Sequence, residues 1–304
     1  MCLAAQRSGL YYTALSYRLQ EEEVEYIVTD CGAQVFISSK EQQHAVEKLV
    51  GKMDNVEHAY MLDGTTAGFD SWEEAIEDAN PHPDRRSRST GASMLYSSGT
   101  TGRPKGVLKP LPEGPFQPED DESPNLFALL YGATEDSIYL SPAPLYHAAP
   151  LAFTMGFLLG GMTCVIMKHF EPEAALQAIE KYRITHSQWV PTMFIRMLKL
   201  DDEVRLKYDV SSLECAIHAA APCPIPVKER MMGWSGAIGY RYYAGTEGNG
   251  FVALNSEEWL AHKGSVGKPI TAALHIVNDE AGELPVGETG TIYFEGGGGG
   301  RVSR

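Results

Sequence analysis

The alternation of strand-like and helix-like segments is the feature of this sequence that most restricts its fold. Runs rich in β-branched and aromatic residues are followed by segments whose apolar residues recur at helical spacing. Strand patterns cover residues 138–141, 163–167, 185–190, 213–219 and 238–243, and helix patterns cover 151–160, 172–182, 191–200 and 226–234. Because parallel strands are usually joined by helices, this order predicts a three-layer α/β fold around a parallel sheet.

The final part of the sequence has a different pattern. Strand-like runs at 273–277 and 289–295 surround a turn at 278–282, and no helical pattern separates them. This arrangement predicts a small β-rich subdomain. We therefore expect an α/β core over residues 1–262, built from two α/β subdomains, and an incomplete β-rich subdomain over residues 263–304.

Charge and cysteine content limit the partners and the compartment. The 304 residues are 43% hydrophobic and 21% charged, which is ordinary for a globular protein. The formal net charge of -15 disfavours nucleic acid as a partner, since phosphate backbones are bound by clustered Lys and Arg. A phosphate-bearing ligand would therefore be held locally, with a metal. The five cysteines form no C-x-x-C pair, which indicates a reduced, cytoplasmic compartment.

The sequence predicts neither a signal peptide nor a transmembrane helix. The first residues, MCLAAQRSGLYY, lack the apolar core of a signal peptide and read as a chain entered partway. Residues 137–167 contain no Asp, Glu, Lys or Arg, a length that raises the question of a transmembrane helix. Three prolines and a Gly-Gly pair interrupt this run. They predict a strand, a loop, an apolar helix and a second strand instead.

The segment at residues 96–109, YSSGTTGRPKGVLK, has the composition of a loop that binds a polyanion. Glycines permit turns that point N–H groups inward, and hydroxyls and a lysine add donors for phosphate oxygens. The spacing fits neither the Walker A pattern nor the dinucleotide fingerprint. It predicts a phosphate loop of another kind, at the carboxyl end of a strand in the α/β sheet.

Three further segments are candidates for a ligand site, each with a structural alternative. Residues 242–248 place a hydroxyl beside a carboxylate, which suits a substrate carbonyl and Mg²⁺, although an exposed turn would also explain them. The small residues at 219–222 allow a flat ring to approach the backbone, or simply form a turn. His147 precedes an apolar helix, where it is either a catalytic residue or a packed or capping one.

Together these segments resemble the adenylate-forming superfamily, which includes acyl-CoA synthetases, luciferases and peptide-synthetase adenylation domains. SSGTTGRPKG is similar to the AMP-binding signature of that family, and YAGTE at residues 243–247 matches its Y-x-G-T-E signature. GELPVGETGTIYFEGG resembles a later glycine-containing motif. PLYH and HSQWVPT look most like fatty acyl-CoA synthetases. The resemblance covers nearly the whole chain and implies the fold of the large N-terminal domain.

The resemblance implies a reaction in two steps. A carboxylic acid and ATP first give acyl-AMP and pyrophosphate, with Mg²⁺ as cofactor, and the acyl group then passes to coenzyme A. The leading interpretation is a fatty acid as the substrate. The alternatives are an aryl or other small acid, and a non-catalytic nucleotide-binding protein.

The resemblance also implies roles for individual residues. The β- and γ-phosphates would be held by Ser97, Ser98, Gly99, Thr100, Thr101, Gly102 and Lys105. Glu247 would bind Mg²⁺, Thr246 would hold the phosphate or the acyl carboxylate, and His147 would lie near the reacting carboxylate. Adenine would be enclosed by Ala220, Ala221, Pro222, Tyr243, Ala244 and Gly245. The acyl wall would consist of Phe153, Met155, Phe157 and Trp189.

The sequence departs from the family pattern in two respects that bear on activity. It contains no Thr-Gly-Asp motif, whose aspartate binds the ribose hydroxyls in the family, and it lacks the small C-terminal domain with its lysine. Positioning and charge stabilisation each supply several kcal/mol in catalysis. We therefore expect a fragment that binds ATP weakly and turns over poorly.

Overall fold

The computed structural model describes residues 1–80, 90–97, 103–111, 123–295 and 301–302. The chain divides into two compact units. The first comprises Met1–Gln117 with Arg301–Arg304, and the second comprises Pro118–Gly300. Each unit is described by itself.

The first unit contains short strands and helices in mixed order. Its helices are α1 (Cys2–Gln6), α2 (Glu21–Asp30), α3 (Gln43–Val46) and α4 (Trp72–Glu77). Its strands are β1 (Tyr11–Tyr12), β2 (Val35–Ser39), β3 (His58–Leu62), β4 (Asp70–Ser71), β5 (Ala92–Ser93), β6 (Leu95–Ser97) and β7 (Lys105–Leu108), with a last strand at Arg301–Val302. Strands β2, β3 and β4 form one parallel sheet. Strands β6, β7 and Arg301–Val302 form an antiparallel one.

Helix α2 shows why this part of the sequence folds locally as it does. Its first turn carries three glutamates, which favour the positive end of the helix dipole. Gln20 and Glu23 form a reciprocal capping box at the helix start. Ile27 and Val28 are buried, and Val28 joins the core cluster of this unit. The other buried members of that cluster are Phe36, Val46, Leu49, Met53, Met61 and Phe69.

The second unit is organised around a seven-stranded sheet with the order β14-β13-β12-β11-β10-β8-β9. Its strands are β8 (Ile138–Ser141), β9 (Thr163–Ile166), β10 (His186–Trp189), β11 (Cys215–His218), β12 (Gly239–Ala244), β13 (Phe251–Leu254) and β14 (Lys268–Pro269). Five strands, β8 to β12, run parallel, as the sequence predicts. Strands β13 and β14 pair antiparallel at one edge, so the sheet is mostly parallel.

Helices cover both faces of this sheet. They are α5 (Ser123–Tyr131), α6 (Ala148–Leu159), α7 (Pro172–Tyr182), α8 (Pro191–Leu198), α9 (Asp202–Arg205), α10 (Ile225–Ser235) and α11 (Ser256–Ala261). Leu140 and Ala216 pack with α7, α8 and α10, whereas their neighbours Tyr139 and Ile217 pack with α5 and α6. Alternate residues of one strand thus enter opposite cores. The three-layer α/β prediction is confirmed.

A two-stranded antiparallel sheet follows the large one. Strand β15 (Ala273–Val277) pairs with β16 (Thr291–Glu295), in agreement with the β-rich pattern at the end of the sequence. The boundary predicted between residues 262 and 263 stays a prediction. Within the part of the chain that the structure describes, no helix has the length and apolar character needed to cross a membrane.

Candidate functional site

The predicted phosphate loop connects β6 to β7 in the first unit. The strands are antiparallel, with Ser97 opposite Lys105 and Tyr96 opposite Gly106. The loop therefore follows the carboxyl end of a strand, and this strand lies in a small antiparallel sheet, not in the seven-stranded one. The small sheet holds it because the chain turns straight back instead of crossing over through a helix.

Two predicted phosphate ligands lie among the described residues of this hairpin. Ser97 is the last residue of β6 and Lys105 the first of β7, and both side chains are half-buried. Residues directly opposite each other in an antiparallel pair share a face, so the hydroxyl and the ammonium group lie on one side of the hairpin. The other predicted ligands of this loop lie outside the described residues; they are Ser98, Gly99, Thr100, Thr101 and Gly102.

The second unit brings two other predicted segments to one sheet edge. Strands β11 and β12 are adjacent and parallel, with His218 opposite Arg241. Strand β11 ends at His218 and β12 continues three residues beyond Arg241, so the two following segments lie at the same end of the sheet. These segments contain the predicted adenine-binding residues and the predicted metal ligand.

The segment after β11 exposes backbone in an unusual conformation. Ala219 is buried, while Ala220, Ala221 and Pro222 are exposed. Ala220 has φ 71°, in the left-handed region that alanine rarely adopts. Such a conformation persists only where the surrounding structure imposes it, and it is frequent at ligand sites.

The segment after β12 is a turn that folds a carboxylate back over glycine. The Gly248 N–H donates to the Gly245 carbonyl oxygen over 3.1 Å. A Cβ atom at Gly245 would lie only 2.9 Å from Glu247 Oε2, so the carboxylate occupies the space that a side chain would need. Thr246 and Glu247 are half-buried, whereas Ala244 and Gly245 are exposed. The turn therefore presents one hydroxyl and one carboxylate to ligands.

The donor set at this turn fits a magnesium ion that is shared with phosphates. Glu247 supplies carboxylate oxygens, the ligands that Mg²⁺ prefers. Among the residues that the structure describes, no group of three or more His, Cys, Asp and Glu side chains is arranged to hold a metal ion. An ion at Glu247 would thus take its remaining ligands from phosphate oxygens and water, the usual arrangement for Mg²⁺ with a nucleotide.

Tyr243 is held in place by the β15–β16 hairpin. Its side chain is exposed, and its ring lies 6.4 Å from the ring of Phe294 at an interplanar angle of 21°. Gly250 also lies against Phe294, because a Cβ atom there would meet the ring at 2.2 Å. One face of Tyr243 is therefore supported by protein. The rest of the ring is available to a flat ligand.

His147 occupies the N-cap position of α6, just after the segment that follows β8. Its side chain makes no capping hydrogen bond and reaches solvent, which disfavours the capping interpretation. Its ring lies 4.4 Å from the ring of Tyr146. Desolvation by the surrounding atoms lowers the pKa of the imidazole below its usual value. His147 is thus neutral near pH 7.

The predicted acyl wall is not supported as one surface. Phe153 and Phe157 fill the core between the sheet and α5 and α6, and Phe153 stacks on Phe127 at 4.8 Å. Trp189 lies in the core on the opposite face, where its indole N–H donates to Ser187 Oγ over 2.6 Å. Met155 is also buried. A set divided between the two faces of a sheet cannot line a single pocket.

A buried basic cluster beneath the Ala220 segment was not anticipated from the sequence. His218 and Lys228 are 1% and 2% exposed, and Arg241 donates to the Gly264 and Ser265 carbonyl oxygens. Burial, with Lys228 and Arg241 nearby, lowers the pKa of His218 to about 3. Burial likewise lowers the pKa of Lys228 to about 8, and its Nζ lies 4.8 Å from the Trp259 ring centre. The sequence signal that was available is Lys228 itself. It lies three positions before the buried Met231 in α10 and therefore on the same face of the helix.

The sequence matches one protein family along nearly its whole length. The model of the family described as "AMP-binding enzyme" matches residues 1–301. A probable CoA ligase of Humulus lupulus is 34% identical over 219 residues, which are 67% of this chain and 37% of that protein. A feruloyl-CoA synthase of Amycolatopsis sp is 28% identical over 299 residues, 96% of this chain and 56% of that protein. The chain thus spans between a third and somewhat more than half of these relatives.

Solved structures of this kind share the fold. A putative long-chain-fatty-acid CoA ligase from Rhodopseudomonas palustris has a TM-score of 0.76 at 20% identity, covering 96% of this chain and 72% of that chain. The o-succinylbenzoate CoA synthetase of Bacillus subtilis, in complex with an acyl-adenylate, has a TM-score of 0.75 at 22% identity. That alignment covers 98% of this chain and 57% of the synthetase. At these identities the likeness supports the fold alone.

Proposed function

Because this chain belongs to the AMP-binding enzyme family, we propose that it is the nucleotide-binding and acid-binding part of an ATP-dependent acid-CoA ligase. The observation that carries the proposal is the turn after β12. There the Glu247 carboxylate lies over Gly245 beside Thr246, and the exposed Ala220 segment follows the adjacent parallel strand. A carboxylate, a hydroxyl and an exposed ring at the ends of adjacent parallel strands suit a nucleotide with its metal.

The first proposed step joins the acid to AMP. A carboxylate oxygen of the acid attacks the α-phosphorus of ATP, a new O–P bond forms, and the bond to the β-phosphate oxygen breaks to release pyrophosphate. Two anions approach each other in this step, so positive charge and N–H or O–H donors must stabilise it. Ser97 and Lys105 are assigned to the β- and γ-phosphates, together with the residues 98–102 of the loop. Mg²⁺, when bound at Glu247, would neutralise phosphate oxygens.

The remaining residues of the second unit would orient the acid and the adenosine. Thr246 donates its hydroxyl to the α-phosphate or to the acid carboxylate. His147, neutral because its pKa is lowered, lies near the reacting carboxylate without forming a fixed ion pair with it. Ala220, Ala221, Pro222, Tyr243, Ala244 and Gly245 enclose adenine. In the second step the coenzyme A sulfur attacks the acyl carbonyl carbon, a thioester forms and AMP leaves.

The acid itself has two candidates. The segments PLYH and HSQWVPT support a fatty acid, as proposed from the sequence. The relatives named as feruloyl-CoA synthase and 4-coumarate-CoA ligase favour an aromatic acid as the second candidate. Thermal unfolding of the chain in the presence of ATP and either a fatty acid or an aromatic acid separates the two candidates. The acid that binds, with ATP or as the acyl-adenylate, should raise the melting temperature, and the other class should not.

Calorimetric titration of the 304-residue chain with MgATP tests the proposal. We expect Lys105→Ala and Glu247→Gln each to weaken MgATP binding by about tenfold, because each removes a charge from a phosphate or its metal. Lys199→Ala and Glu257→Gln serve as controls of matched charge at exposed positions outside the site, and they should bind like the parent chain. Unchanged affinity in both site variants would remove the assignment.

A further inference from the structure

Both ends of the phosphate loop contact one helix of the first unit. Before the loop, the Tyr96 hydroxyl donates to Asp30 Oδ2. After it, the guanidinium carbon of Arg103 lies 5.1 Å from the centre of the Tyr26 ring. Tyr26 and Asp30 are four positions apart in α2, so they lie on the same face one turn from each other. One helix face therefore contacts the chain on either side of the loop.

The hairpin is built to let Tyr96 reach this helix. A Cβ atom at Gly106, the residue opposite Tyr96, would lie 2.8 Å from Tyr96 Cζ and 3.0 Å from its hydroxyl oxygen. It would also meet Met94 Cε at 2.7 Å. The tyrosine ring thus lies close to Gly106 on the partner strand, where a Cβ atom would displace it.

The contact between Tyr96 and Asp30 is a hydrogen bond to a charged acceptor. Burial and the Asp30 carboxylate raise the pKa of Tyr96 far above its usual value, so the phenol is a donor at neutral pH. Hydrogen bonds to ionised acceptors are about twice as strong as neutral ones. The guanidinium over Tyr26 adds a cation–π contact. The two contacts together fix the hairpin against α2.

We propose that Asp30 and Tyr26 are positioning residues that hold Ser97 and Lys105 where the β- and γ-phosphates of ATP bind. The inference rests on the proposed function. Asp30 acts through Tyr96, the residue before Ser97, and Tyr26 acts through Arg103, two residues before Lys105. Neither residue touches the nucleotide in this role. The negative charge of Asp30 makes the inference more specific. Removal of this charge would by electrostatics alone strengthen the binding of a polyanion such as ATP, whereas loss of the positioning contact would weaken it.

The test uses two substitutions that remove the same charge. Asp30→Asn keeps a hydrogen-bond acceptor for Tyr96, whereas Asp30→Ala keeps none. We expect Asp30→Ala to weaken MgATP binding to the 304-residue chain by about tenfold and Asp30→Asn by about threefold or less. Affinity for AMP, which lacks the β- and γ-phosphates, should stay unchanged in both. Glu22→Gln, which removes an exposed carboxylate from the same helix, should bind ATP like the parent chain.

A double-mutant cycle with Tyr96→Phe tests whether Asp30 affects ATP binding through Tyr96. Because Asp30 acts through the Tyr96 hydroxyl, the double variant Asp30→Ala/Tyr96→Phe should lose no more ATP affinity than the more affected single variant. Tyr26→Phe should bind ATP like the parent chain, because it keeps the ring under Arg103. Tyr26→Ala should weaken ATP binding by about threefold, because it removes that ring.

The outcomes separate the inference from the proposed function. Unchanged ATP affinity in Asp30→Ala, or equal losses for ATP and AMP, would overturn the positioning role while Lys105→Ala still weakens ATP binding. If Lys105→Ala and Glu247→Gln both bind ATP like the parent chain, the proposed function fails and the inference fails with it. A drop confined to ATP, with the Asn variant less affected than the Ala variant, supports it.

Discussion

Ala220 and Gly245 show that backbone conformation, more than side-chain chemistry, shapes the candidate site. Ala220 has a positive φ where a glycine would cost less. Gly245 leaves a space that the Glu247 carboxylate fills. Both residues follow the carboxyl ends of adjacent parallel strands, at the same end of the sheet. Each can be tested by a substitution that changes little else.

Substitution of Ala220 by a β-branched residue should destabilise the second unit. Valine tolerates a positive φ less well than alanine, and we expect Ala220→Val to lower the free energy of unfolding by about 1–2 kcal/mol. Urea denaturation measures the loss. Ala221→Val provides the control, because Ala221 is also exposed but has no positive φ. Equal losses in the two variants would mean that the conformation of Ala220 is not the cause.

Substitution of Gly245 by alanine should displace the Glu247 carboxylate. The new Cβ atom would approach Oε2 to 2.9 Å, so the carboxylate must rotate away. We expect MgATP affinity to fall about tenfold, or about 1.4 kcal/mol. In a chain that already carries Glu247→Ala, the added Gly245→Ala should cause little further loss. Additive losses in calorimetry would show that Gly245 acts independently of Glu247.

At the scale of the elements, the β15–β16 hairpin carries a pH-dependent contact. His275 on β15 lies 3.1 Å from Glu283 through Nδ1 and 3.1 Å from Glu295 on β16 through Nε2. The two carboxylates raise the pKa of His275 above its usual value. A raised pKa in the folded state means that the stabilisation is complete below the pKa of the unfolded chain. It is lost as the pH rises through the pKa of the folded one.

The hairpin should therefore be more protected at pH 6 than at pH 8 in the parent chain. We expect His275→Gln to reduce this difference in amide hydrogen exchange of residues 273–295, because glutamine carries no titrating charge. His262→Gln, at an exposed position outside the hairpin, is the control and should leave the difference intact. A difference that persists in His275→Gln would assign the pH dependence to other groups.

The elements also show what the sequence predicts and what it leaves open. Strand β8 and helix α7 were predicted with their observed bounds, because Pro172 at the helix start and the β-branched runs are local signals. Helix α11 was missed although Asn255 and Glu258 form its capping box. Strand β13 was also missed, although it pairs antiparallel with β12 across the short connection at residues 245–250. Local sequence patterns thus predict helices and strands better than they predict which strands pair.

The candidate site follows the same division. The residues after β11 and β12 were predicted, since short motifs beside strands mark where a parallel sheet binds ligands. The sequence did not show on which side of the sheet Phe153 and Trp189 would pack, and the two side chains lie in opposite cores. A shift of one residue in a strand reverses the face, and spacing in a helix does not show which layer it joins. The basic cluster around Lys228 depends on the same packing.

At the scale of the whole molecule, each of the two units has its own buried core. Met61 is 0% exposed in the core of the first unit, and Met197 is 2% exposed in one core of the second. A chain with separate cores need not unfold in a single cooperative step. The two methionines offer a matched pair of substitutions, since the same atoms are removed from each core.

Met61→Ala and Met197→Ala should each destabilise mainly the unit that contains the residue. Large-to-small substitutions of buried methionine cost about 2–5 kcal/mol, because contacts are lost and a cavity remains. Hydrogen exchange followed by mass spectrometry resolves peptides from each unit. We expect Met61→Ala to speed exchange in the sheet β2-β3-β4, and Met197→Ala to speed it in β10 and β11. If either substitution speeds exchange equally in both units, the chain unfolds as one cooperative body, because the loss of one core then removes the protection of the other.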